Sequence, residues 1–218
     1  MEPVLRATYN LDWITILLFF SIVALVIAKA LFYSRFLNFI ILPFNNKYIF
    51  MYNKKDKLLN WFHVFFSVFQ IVNFSIFAYF TWSILGNQEQ LNSPFFYPII
   101  LASVFLFLIA KVIVQMGSGF IFGTTKTISE LVFKKLSYLN YSGLILLIAN
   151  VILAYIFQNS RIVVYITIGL VFLINAIGWA TALQNHQKFL ANNFFYFILY
   201  LCALEIAPLI IIGSYLKY

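Results

Sequence analysis

The sequence predicts an all-α integral membrane protein, a single membrane domain (1–218) with six transmembrane helices and an amphipathic helix on the cytoplasmic face. Apolar residues make up 64% of the 218 residues and charged residues 9%, against roughly 45–50% and about 25% in soluble domains. The mean hydropathy is +0.96. The apolar runs are continuous and do not alternate with period two as in a strand barrel. Soluble enzymes, disordered chains and disulfide scaffolds are therefore excluded.

Six stretches reach or nearly reach the length of about 20 mostly apolar residues that a membrane-spanning helix needs. The fourth stretch is the shortest. The predicted spans are about 11–31, 61–85, 95–115, 141–157, 162–183 and 194–216.

Most basic residues of the connecting segments fall on one side of these spans. Nine Lys and Arg lie after the first, third and fifth spans, whereas Arg6, Arg161 and Lys217 lie on the other side. Because positive loops stay inside, both termini are expected outside the cytoplasm, in the periplasm of a bacterial inner-membrane protein. The net charge of +8 is interpreted as topology control and attraction to the lipid bilayer, not as nucleic-acid binding.

The longest connection is 32–60. Its apolar first half stops at Pro43, too early to span, and favours an interfacial helix or a short re-entrant piece. The second half carries Lys54, Lys55 and Lys57 and is either a surface on the cytoplasmic leaflet or a docking surface for a partner.

The segment 128–140 has the pattern of an amphipathic helix lying along the membrane surface. Thr127 and Glu130 have the spacing of a capping box at its start. Lys134 and Lys135 lie off the apolar stripe, so both are predicted, with the three lysines above, to be basic residues at the membrane surface. The stripe is formed by Ile128, Leu131, Val132, Leu136 and Leu139.

The glycine-rich stretch 117–123 lacks the Gly-Lys-Ser/Thr order of a phosphate-binding loop. Gly119 and Gly123 have the GxxxG spacing of helix packing. An unwound helix end or a close helix contact is the expected role.

Glu205 is the most informative position, because it falls about eleven residues into the sixth span, roughly 16 Å deep at 1.5 Å per residue. A carboxylate at that depth is costly unless it is paired or protonated. Pro208 three residues later can kink the helix. Proton or ion coupling and structural pairing both remain open for this acid.

Lys111 in the third span is the natural partner to test for Glu205, although it could instead snorkel to cytoplasmic headgroups. Other polar groups inside the spans are suited to interhelical hydrogen bonds. They are Asn73, Asn150, Asn175 and Gln70.

The sequence shows no constellation for catalysis, a metal or a cofactor. His63 and His186 are isolated, with no HExxH and no cysteine partner. Because Cys202 is the one cysteine of the chain, an internal disulfide is excluded. No disulfide-linked partner is expected. With only six acidic residues and short loops, the chain is predicted not to be an enzyme.

The C-terminal run 192–216 (NNFFYFILYLCALEIAPLIIIGSYL) resembles the closing span of a six-span inner-membrane family of Bacteroidota, known as a domain of unknown function (number 4271). The stretch after the first span (AKALFYSRF) and the overall spacing are also similar. The resemblance implies an inner-membrane protein and no established activity. The matching positions are Phe195, Tyr196, Leu199, Tyr200, Leu201, Cys202, Leu204, Glu205, Ile206, Pro208 and Leu209.

Two functions are carried forward. The favoured one is a non-catalytic accessory or structural subunit of a larger inner-membrane complex, with protein export or secretion and gliding machinery suggested by analogy with the envelope machines of that phylum. The alternative is a small ion- or proton-coupled transporter that uses Glu205 in the kinked sixth span. Other inner-membrane proteins are the expected partners.

Overall fold

The structure is a computed structural model that describes residues 12–45, 47–52, 60–86, 95–121, 123 and 125–185. Helices account for its regular structure, and these residues contain no strand. The helices are α1 (Asp12–Leu31), α2 (Tyr33–Ile40), α3 (Lys47–Tyr52), α4 (Trp61–Leu85), α5 (Phe96–Ile121), α6 (Thr125–Val151, continued by a π-helical segment Ile152–Ile156) and α7 (Arg161–Asn185).

Five of these helices, α1, α4, α5, α6 and α7, are long and apolar enough to cross a membrane. Four of them lie where the first, second, third and fifth spans are predicted. The sixth predicted span, 194–216, lies outside the described residues, as do Lys54, Lys55 and Lys57.

The prediction of a separate surface helix at 128–140 is wrong. The structure joins it to the fourth predicted span, 141–157, in the single helix α6. The polar residues of 128–140 suggested a boundary between a surface helix and a span. They lie within one continuous helix because neighbouring helices provide contacts for them. Lys134 Nζ, for example, donates to the backbone oxygen of Thr181 in α7 at 2.6 Å.

Helices α4 and α6 form the centre of the described bundle. Helix α6 packs against α4, α5 and α7, and α1 packs against α4. In the most apolar stretches of α4 and α6, 44% of the residues are buried, against 6% in α5 and 17% in α7. The two outer helices therefore present most of their apolar surface outward.

The connection after α1 packs into one end of the bundle. Phe39 and Leu42, at and just after the end of α2, and Tyr48 on α3 are fully buried. The Phe39 ring lies 4.6 Å from that of Phe66, and the Tyr48 ring stacks on Phe133. An interfacial helix or a short re-entrant piece was expected in the first half of residues 32–60. The described part of this connection forms two short helices, which are held against the bundle by aromatic packing.

The far end of α6 widens into the π-helical segment. The Phe157 N–H donates to the Ile152 oxygen at 2.8 Å, a five-residue step. Tyr155, within this segment, shares a 2.7 Å hydrogen bond with Thr15 of α1. Asn159 then adopts a left-handed conformation (φ 61°) in the turn to α7.

Several glycines lie where two helices approach each other closely. A Cβ on Gly143 would lie 3.2 Å from Gln70 of α4, and a Cβ on Gly119 would lie 2.9 Å from Ile128 of α6. Gly119 therefore has the predicted packing role. Gly123 does not share it, because it has φ +64° in the turn before α6 and a Cβ there would meet nothing within 4 Å.

We expect Gly178→Ala to destabilise the protein by about 1–3 kcal/mol, the usual cost of overpacking. Its Cβ would lie 2.6 Å from the Tyr138 ring, at the rigid base of that side chain. Gly169→Ala on the same helix, where nothing lies within 4 Å, is the matched control and should be neutral or stabilising by up to about 1 kcal/mol. Thermal unfolding of both variants in one detergent measures the difference, and equal melting temperatures would contradict the packing argument.

Candidate functional site

Three helices are joined at the centre of the bundle by buried amide and hydroxyl groups. Asn73 of α4 donates from Nδ2 to Ser21 Oγ of α1 at 2.7 Å and to the backbone oxygen of Phe69 at 2.9 Å. Asn150 of α6 donates from Nδ2 to the backbone oxygen of Asn73 at 2.9 Å. Asn73 and Asn150 are fully buried and thus have the interhelical hydrogen bonds that their positions in the spans suggest.

A second polar contact joins the two helices about two turns away along α4 and about three turns away along α6. The side chains of Ser67 and Asn140 lie 3.4–3.5 Å apart. Gln70, between Ser67 and Asn73 on α4, is 1% exposed and makes no side-chain hydrogen bond among the described residues. The expectation of an interhelical bond therefore is not met there.

A cavity of about 60 Å³ lies between α5, α6 and α7. Two lysines line it, Lys111 from α5 and Lys135 from α6. Further polar and aromatic side chains contribute to its walls, and Lys135 Nζ lies 5.5 Å from the centre of the Trp179 ring. Its polar and aromatic lining comprises Lys111, Gln115, Lys135, Tyr138, Asn175 and Trp179.

Lys134 does not have the predicted surface position. Its side chain is 1% exposed, and its ammonium group reaches the Thr181 backbone oxygen in α7. Successive helical residues are about 100° apart, so Lys134 enters the α6–α7 contact while Lys135 lines the cavity.

Asn175 also differs from expectation. Its Nδ2 donates to the Val171 oxygen, four residues earlier in its own helix, at 2.8 Å. Its side chain belongs to the cavity wall, not to an interhelical bond among the described residues.

His63 is buried, and its Nε2 lies 3.1 Å from the Tyr48 hydroxyl. Its ring packs edge-on against Phe133 at 4.5 Å. Within the described ranges, no three His, Cys, Asp or Glu side chains are placed to hold a metal ion.

The intramembrane acid of the sequence prediction, Glu205, lies outside the described residues together with Pro208. The structure therefore places one member of the predicted Lys111–Glu205 pair. It brings Lys111 together with Lys135 and Asn175, three residues that the sequence selected for separate reasons.

Sequence reasoning missed Gln115 and Trp179 in this cavity. Gln115 follows Lys111 by four residues, and Trp179 follows Asn175 by four. Since residues four apart share a helix face, this spacing could have identified both.

The family described as "Domain of unknown function (DUF4271)" matches residues 14–216. No curated protein and no solved structure matches the chain significantly.

We expect Asn73→Ala and Ser21→Ala to be energetically coupled, by about 0.6 kcal/mol and at most about 1.7 kcal/mol, the range for hydrogen bonds between membrane helices. The physical reason is that the Asn73 side chain donates to the Ser21 side chain across the α1–α4 contact, so that either substitution removes the bond. A double-mutant cycle from unfolding in mixed detergent micelles measures the coupling. Ser21→Ala with Asn175→Ala is the control pair, because Asn175 donates within its own helix. A coupling equal to that of the control pair would contradict the assignment.

Proposed function

We propose that this chain, which belongs to the DUF4271 family, is a non-catalytic subunit of a larger inner-membrane complex. The observation that carries the proposal is the outward apolar surface of α5 and α7, whose most apolar stretches are only 6% and 17% buried. Protein export or secretion and gliding machinery are the candidate assemblies, by analogy alone.

The described polar groups of the centre favour a scaffold role. Asn73 donates to Ser21 and accepts a hydrogen bond from Asn150 at its backbone oxygen, so that one residue links three helices. Polar groups committed in this way stabilise a helix bundle.

The outer helices carry large exposed side chains that another membrane helix could cover. On α7, Phe172 is 70% exposed and Tyr165 is 60% exposed. On α5, Phe105, Leu106 and Phe107 are exposed in succession. Packing of side chains, not exclusion of water, drives helix association in lipid, and these exposed side chains would pack against a partner helix in the proposed complex.

The proposed location is the bacterial inner membrane, with both termini in the periplasm. Support comes from the distribution of charge along the helices. Lys29, Arg35 and Lys126 lie at the end of the bundle where α1 and α5 finish, and Arg161 lies at the other end. The end rich in positive charge is assigned to the cytoplasm.

A transporter is the second candidate, and the cavity of Lys111, Lys135 and Asn175 favours it specifically. Cations within a helix bundle are typical of substrate and ion pathways. In this alternative, Glu205 in the sixth predicted span supplies the titratable acid.

A photo-crosslinking amino acid at Phe172 tests the subunit proposal in the native membrane. We expect adducts with one or a few defined membrane proteins, which mass spectrometry would identify. The same replacement at Phe20 of α1 is the control, since this phenylalanine is 64% exposed on a different helix. Labelling that is equal at both positions, or absent at Phe172, would contradict a specific interface on α7.

The transporter alternative predicts that Glu205→Gln reduces pH-gradient-driven flux into proteoliposomes at least tenfold, because the amide cannot exchange a proton. The subunit proposal predicts no such flux in the unmodified protein. Glu205→Asp, which keeps the acid, is the matched control.

A further inference from the structure

Helices α5 and α7 form the two walls of a groove whose floor is α6. Both walls pack on α6, but they make few contacts with each other. The cavity described above lies in this α5–α7 groove, where Lys111, Lys135 and Asn175 line it from one helix each. Both lysines and Gln115 also have further interaction partners. A soluble ligand would have to displace those partners, whereas a segment of the chain itself would not.

The three residues that line the cavity from different helices lie at a common depth. Each is ten residues from the end of its helix at the positively charged end of the bundle, which is Ile121 in α5, Thr125 in α6 and Asn185 in α7. At 1.5 Å per residue, this distance is roughly 15 Å. Helix α5 continues six residues beyond the predicted span 95–115, so Lys111 lies deeper than the sequence indicates.

The segment that follows α7 starts at the same end of the bundle. Helix α7 ends at Asn185, and residues 186–193 lead to the sixth predicted span, 194–216. These eight residues reach at most about 26–29 Å when extended. Connections of two to eight residues are typical between neighbouring helices of a bundle. The next span is therefore expected beside α7, where the α5–α7 groove offers it contacts with three helices.

Glu205 falls at the matching depth in that span. Of the six acidic residues in the sequence, it is the one in the middle of a predicted span. About eleven residues separate it from the start of the span, which is roughly 16 Å from the same end of the bundle. An acid and a lysine inside a membrane are both costly unless they are paired. One carboxylate in the groove could bind both lysine ammonium groups.

We propose that the segment 194–216 occupies the α5–α7 groove as a sixth helix, with the Glu205 carboxylate bound to the ammonium groups of Lys111 and Lys135. These two ion pairs join the segment to α5 and α6. Charged residues within membrane bundles commonly pair with one another in this way. The inference goes beyond both functions considered above, because it holds whether the chain is a subunit or a transporter.

The faces of α5 and α7 turned away from the groove stay open in this arrangement. Ile113 and Leu173 each lie two residues, or about 200° around the helix, from Lys111 and Asn175. Their side chains are 63% and 53% exposed. A partner helix could therefore cover these faces while the groove is filled by the chain's own segment.

Cross-linking through Cys202 tests the position of the segment. Cys202 lies three residues before Glu205, so the two side chains share a helix face. We expect Val112→Cys, at a position that lines the cavity, to be joined to Cys202 by a short bifunctional thiol reagent in native membranes. Ile113→Cys is the matched control and should give roughly fivefold less product, because it lies about 100° further around α5.

Mass spectrometry of the digested protein identifies the joined peptides. The expected product contains residues 112 and 202 of one chain, and Cys202→Ser should abolish it. Equal yields from Val112→Cys and Ile113→Cys, or no product from either, would overturn the proposed position. A product only at twice the mass of the chain would also overturn it, because a second copy would then cover the groove.

Charge reversal tests the ion pairs. Glu205→Lys and Lys111→Glu each bring like charges together, so each should lower the melting temperature in a neutral detergent. Their combination again places one acid between two lysines and should recover most of the loss. If the single variants fail to accumulate in the membrane, recovery of the accumulated amount provides the same test.

The matched control combines Glu205→Lys with Lys126→Glu. Lys126 is exposed at the start of α6 and lies outside the cavity, so this pair has the same net charge but should recover nothing. Equal melting temperatures of the two combinations would rule out the pairing of Glu205 with Lys111.

Discussion

An amide side chain in the hydrocarbon layer must find its hydrogen-bond partners within the protein, and the arrangement of the bundle depends on that constraint. The Nδ2 groups of Asn73 and Asn150 satisfy it by donating across α4, α6 and, through Ser21, α1. The donation from Asn150 to a backbone oxygen requires a close approach of the two central helices. Gly143 permits that approach, since any larger residue would press against Gln70. The positions of α5 and α7 follow, because both pack on α6.

Much of the helical architecture can be predicted from apolar run length alone, as α1, α4, α5 and α7 illustrate. The continuity of α6 could not be predicted in this way. Lys134, Lys135 and Asn140 make residues 128–140 polar enough to suggest a surface helix, and only the neighbouring helices decide that these side chains are accommodated. Local pattern reports the polarity of a residue, whereas its burial depends on partners distant in the chain.

In the candidate site, too, the polar residues can be predicted from sequence but their arrangement cannot. Lys111, Lys135 and Asn175 could each be selected from sequence as polar residues in or near spans. All three line one cavity because of the way α5 and α7 pack against α6. That packing cannot be predicted from a single sequence. Lys134 and Lys135 are adjacent in sequence and similar in chemistry, yet one donates to α7 and the other lines the cavity. The difference between them is one of rotation about the helix axis.

The π-helical segment Ile152–Ile156 changes the rotation of the side chains at the other end of α6. A π turn holds one more residue than an α turn, so every later side chain is displaced by about 100° relative to an uninterrupted helix. Tyr155 meets Thr15 in this displaced register. A homologous chain one residue shorter here could remain helical throughout, but a different side chain would then face α1. Length variation among relatives at this point would therefore change which residues meet, without changing the helix count.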